Sequence, residues 1–116
     1  MPTADNKGPT PPRSWQRLQQ RYPTVADGYA ALADACRAVG PLDGRSVALV
    51  KLAVSVGRST QRTVHAHAKK ALREGISPGE LRQVALTALP TIGLPAALDA
   101  LSWIDQSIEE YEASER

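Results

Sequence analysis

Residues 64–81 read Val64-His65-Ala66-His67-Ala68-Lys69-Lys70-Ala71-Leu72-Arg73-Glu74-Gly75-Ile76-Ser77-Pro78-Gly79-Glu80-Leu81. Val64, Ala68, Ala71 and Leu72 recur at the period of a helix with one apolar face. Gly75 supplies the stop. Ser77 then stands where an N-cap belongs, with Pro78 in the first turn and Glu80 three residues on, the pattern of a capping box. The stretch therefore reads as a helix, a glycine stop and a second capped helix. Two imidazoles sit at its start, and histidine is the side chain best suited to moving protons near neutral pH.

The segments on either side carry the same signature. Ser14 can cap a short helix ending before Pro23. Thr24 opens a helix over about 24–39, in which Val25, Tyr29, Leu32, Ala33, Cys36 and Val39 form an apolar stripe, and Gly40-Pro41 ends it. Cys36 on that stripe is expected to be a small buried hydrophobe rather than a reactive thiol. Asp43 is the N-cap expected for a third helix. Its run from Val47 to Val56 is apolar nearly all round, so burial on most sides is expected. Lys51, its only interior charge, either snorkels to the surface or points into a pocket. The fourth helix spans about 59–74 and the fifth starts after Ser77, burying Leu81, Val84, Ala85, Leu89 and Ile92. Pro90 should kink or stop it. Leu94, Leu98, Leu101, Ile104, Ile108 and Tyr111 line the last helix.

At 116 residues the chain is one domain's worth, and its 42% apolar content can supply a core. Residues 1–13 are expected to be a flexible tail and 14–116 a single all-α domain of about six helices. The net charge of +2, from 14 basic and 12 acidic side chains, gives no reason to expect nucleic acid. The charge is unevenly spread, however. Lys7, Arg13, Arg17 and Arg21 lie near the start, and Asp105, Glu109, Glu110, Glu112 and Glu115 near the end. Solvated helix faces, or a head-to-tail contact between subunits, would both explain this. Cys36 is the single cysteine, which precludes an intrachain disulfide. No apolar run approaches the ~20 residues of a membrane span. The first residues lack the apolar segment of a secretory signal. The expected setting is cytoplasmic, with no membrane partner.

At about 100° per residue, His67 falls at one edge of the apolar face and His65 at the other, roughly 160° apart. Chelation of one metal from a single helix needs i, i+3 or i, i+4 spacing. No metal or other cofactor is therefore expected. Each imidazole should serve a different environment, one a pocket and the other a neighbouring helix or chain. A satisfied structural role for either ring stays open. Thr60 and Thr63 lie near His67, and Gln61 is the i−4 neighbour of His65.

Taken together, Gly40 to Asp43, Leu49 to Ala53, His65-Ala66-His67 with Ala71-Leu72 and Gly75, the Ser77 to Leu81 turn, Thr91 to Pro95 and Ala100 to Trp103 resemble the carboxymuconolactone decarboxylase family, which includes the alkylhydroperoxidase D-like proteins. The resemblance implies an all-helical bundle assembling as a homotrimer or homohexamer around a shared small-molecule site. The peroxidase branch is marked by CxxC and a histidine four residues on. Those cysteines fall here on Thr60 and Thr63, and the histidine on His67. The decarboxylase branch resembles the pattern met by His67, Ala71, Leu72 and Gly75. It implies His67 as proton carrier, assisted by His65 and Gln61, with Arg58, Arg62, Thr60 and Thr63 around a carboxylated lactone or related acid. Relatives with a His-Ser-His variant often carry acids near Ala48 and Gln61, both uncharged here. Three functions remain: proton transfer with decarboxylation, ranked first; peroxiredoxin-type peroxidase chemistry, short of its cysteine pair; and non-catalytic binding of a small ligand.

Overall fold

A computed structural model describes residues 11–115. The chain is all-α: α1 (Arg13–Arg21), α2 (Pro23–Ala38), α3 (Gly44–Arg58), α4 (Gln61–Arg73), α5 (Pro78–Ile92) and α6 (Leu94–Ser114), with no strand among the described residues. Of the expected tail, residues 1–10 lie outside the described residues. No helix is long and apolar enough to cross a membrane among those described. Internal contacts divide the chain into two units, residues 1–41 and 42–116.

The first unit is a pair of helices. α1 begins after Pro12, so Ser14 lies inside the first turn instead of capping it. Trp15 meets Tyr29 edge to face, with ring centroids 5.7 Å apart. Ala26 is the only buried residue of α2. The apolar stripe expected to be buried is instead bare: Val25, Tyr29 and Leu32 are about 60% exposed and Val39 81%. Cys36 is exposed with them, which corrects its reading as a core residue. The reason is supply. A nine-residue α1 offers too little apolar surface to enclose a sixteen-residue helix.

The second unit contains the core. Asp43 caps α3 as expected, accepting from the Ser46 N–H at 2.8 Å. α3 buries Leu52, Ser55 and Val56, while Val50, Ala53 and Val54 face solvent. Its burial is thus one-sided, although its sequence is apolar nearly all round. Ser59 ends α3 in the left-handed region, with φ 57°. α4 packs on α3 and α6, and α5 packs on the same two helices.

α4 ends in a Schellman motif. The Gly75 N–H donates to Leu72 O at 3.0 Å and the Ile76 N–H to Ala71 O at 3.1 Å. Gly75 carries the φ of 89° that this closure requires, and Ile76 is buried beneath it. The capping box is present as read: Ser77 Oγ accepts from the Glu80 N–H, and Glu80 Oε1 accepts from the Ser77 N–H. Pro90 does not stop α5, which runs on to Ile92. Proline there removes the donor for the Leu86 carbonyl, but Leu86 is exposed and water can replace it. Gly93, at φ 93°, turns the chain into α6.

Leu81 and Ala85 of α5 are buried as expected. On α6 the buried register is Ala97, Ala100, Ile104, Ser107 and Ile108, whereas Leu94 and Leu98 are exposed. The small alanines face the other helices and allow close approach, so the larger Leu94 and Leu98 are left outside. Arg82–Asp105 at 2.8 Å ties α5 to α6, Lys69–Glu110 at 2.6 Å ties α4 to α6, and Arg45–Glu80 ties α3 to α5.

Candidate functional site

α4 positions both histidines. Val64, Ala68, Ala71 and Leu72 anchor it in the core, which fixes the rotation of the helix about its axis. Each imidazole is then half-buried at an opposite edge of the anchored face.

His65 turns towards α6. Its Nδ1 lies 2.6 Å from Ser107 Oγ, and Ser107 Oγ lies 2.9 Å from the Trp103 carbonyl oxygen. A hydroxyl has one proton to give. With that proton on the Trp103 carbonyl, Ser107 accepts from the Nδ1–H of His65. The exchangeable site of the ring is then Nε2. Ser107 is fully buried and cannot meet a ligand. It was not foreseen from sequence. Its only signal there was a polar residue in register with Ala100 and Ile104, 42 positions from its partner.

His67 turns the other way. Burial holds its basicity below the ordinary value, and the ammonium groups of Lys70 and Lys51 press in the same direction. Lys51 is half-buried on α3. It is thus one of the two cations acting on the ring, whereas Arg58 and Arg62 are exposed and neither perturbs it. The arrangement is a half-buried imidazole held towards its neutral form by burial first and by the charges of Lys70 and Lys51 second. Such a set can attract an anion and exchange a proton with it.

The threonines stand at the start of the same helix. Thr60 is the N-cap residue, without a capping side chain. The Thr60 hydroxyl donates to Arg58 O at 3.4 Å and the Thr63 hydroxyl to Thr60 O at 3.1 Å. Gln61 is exposed in the first turn. No group of three or more histidine, cysteine or acidic side chains is placed to hold a metal among the described residues.

An open groove of about 320 Å³ runs between α3 and α5. Leu49, Val50, Ala53 and Val84 form its apolar wall, with Glu80, Gln83 and Thr87 adding polar groups. Neither histidine lines it.

The carboxymuconolactone decarboxylase family model matches residues 23–106, from the first residue of α2 into α6. The chain belongs to the carboxymuconolactone decarboxylase family. No match was found among curated proteins, and none among solved structures. The match covers both histidines, the two lysines beside His67, and Thr60 and Thr63.

Proposed function

We propose that the chain is an acid–base enzyme of this family that decarboxylates a small carboxylated lactone or related acid. The observation that carries the reading is the half-buried His67 beside Lys51 and Lys70. Without substrate, burial and the two ammonium groups favour the neutral ring. A substrate carboxylate next to the lysines offsets their charge and raises the proton affinity of the imidazole. The ring then takes a proton as the acid binds. On decarboxylation the C–COO⁻ bond breaks, its electron pair stays on carbon and CO₂ leaves. The imidazolium gives its proton to that carbon and returns to the neutral state. Lys51 and Lys70 hold the acid. His65 keeps α4 oriented through Ser107 and plays no direct part.

Thiol peroxidase chemistry is not proposed. By the family resemblance the cysteine pair would fall on Thr60 and Thr63, and a hydroxyl forms neither a thiolate nor a disulfide. The α3–α5 groove favours a second reading, in which the protein binds a small, largely apolar ligand without turning it over. The experiment follows CO₂ release from carboxylated γ-lactones. His67→Gln should abolish turnover with helix content unchanged, and Lys51→Met should raise KM more than it lowers kcat. Saturable binding with no CO₂ release by the wild type would reject catalysis in favour of the groove.

A further inference from the structure

The arginines of α1 form an exposed stripe. Arg13, Arg17 and Arg21 are spaced four apart, so their side chains follow one another along one face at steps of about 6 Å. No acidic residue lies in α1. None of the three arginines takes part in an ion pair among the described residues. α6 carries the opposite charge in a similar register. Asp105, Glu109 and Glu112 share a face at steps of about 6 and 4.5 Å. Asp105 already holds Arg82, whereas Glu109 and Glu112 are exposed and hold no cation among the described residues.

One residue of each stripe opposes its own helix dipole, Arg13 in α1 and Glu112 in α6, whereas Arg21 in the last turn of α1 suits it. Arg13 sits in the first turn of α1, where the helix dipole favours an anion, and α1 has no acid there. The last turn of α6 has no base and holds Glu112, where the dipole favours a cation. Each helix would be better off if the other's charge were brought to it. The apolar residues of α2 are also bare in the single chain.

We propose that the α1 arginine stripe of one copy docks on Glu109 and Glu112 of a second copy, giving a heterologous, head-to-tail contact. Exposed ion pairs are individually weak. The charges therefore set register and orientation, while cover for Val25, Leu32 and Val39 beside the contact supplies affinity. Contacts of this kind close into a ring when the rotation allows and otherwise grow into a filament.

The test measures the mass of the intact chain by light scattering across protein and salt concentration. The wild type should associate at low salt and dissociate as salt rises. R13E/R17E/R21E and E109K/E112K should each weaken association by about tenfold or more, with helix content unchanged. R13Q/R17Q/R21Q should fall between them and the wild type. Mixing the two charge-reversed proteins should restore assembly, because each then offers the stripe the other needs. A contact within one chain would not be restored by mixing, so failure to recover overturns the proposal. A monomeric wild type, or an assembly indifferent to salt and to these changes, overturns it as well. Binding to anionic vesicles that R13E/R17E/R21E loses, with mass unchanged, would reassign the stripe to a lipid surface.

Discussion

The two histidines differ in what surrounds them, not in what they are. His65 has a dedicated partner in Ser107, itself tied to the Trp103 carbonyl. His67 has no such anchor and feels two ammonium groups. The pH dependence of stability reports on His67. The basicity of His67 is depressed from the ordinary value of 6.5, so below that pH the unfolded chain binds more protons than the native one. Its contribution is complete above pH 6.5 and is lost as the pH falls through the lowered native value. Urea midpoints followed downward from that pH should drop less steeply in His67→Gln than in the wild type. Equal slopes would mean that the ring is not desolvated. The pair and its opposite edges were legible from spacing alone. The partner of His65 was not, because Ser107 comes from a helix whose register depends on packing.

Helix boundaries are where local chemistry speaks most directly. Asp43, Gly75 and the Ser77–Glu80 box were all readable because capping depends on groups within a few residues. The box is joined to tertiary structure through Arg45, which, with the Ser77 groups, pulls Glu80 down to about 2. Ser77→Ala should lower stability by about 1 kcal/mol, measured by chemical denaturation at neutral pH. The stabilising share of the Glu80 carboxylate is whole above the ordinary value of 4.5 and fades as acid takes the pH through about 2. Pro90 shows the limit of such local rules. It was expected to kink or stop α5, and the helix does not stop there because three favourable circumstances outweigh it: a position near the C-terminus, an exposed Leu86, and a following Gly93 that makes the turn.

At the scale of the molecule, stability resides in residues 42–116. Leu52, Val56, Val64, Leu72, Ile76, Leu81, Ile104 and Ile108 form one core there. Ile104 is fully buried among them. Truncation to alanine should cost about 2–5 kcal/mol, read as a shifted denaturation midpoint with little change in slope. A loss below about 1 kcal/mol would mean that the site collapses around the vacancy. Residues 11–41 contribute almost nothing buried besides Ala26, and an apolar stripe without cover is unusual for a chain that acts alone.

By itself the sequence determined that the chain is helical, where most helices begin and end, and that His65 and His67 diverge, because caps and periodicity are properties of near neighbours. Tertiary structure decided which apolar residues are covered and which charges reach the imidazoles. α2 and α3 both read as buried, yet α2 lies bare and α3 is covered on one face, since burial depends on how much matching surface other elements supply. The charge of Lys51, rather than that of Arg58 or Arg62, acts on His67 for a related reason: which charges of a neighbouring helix act on a ring is decided by how the two helices pack, and no spacing along the chain encodes that.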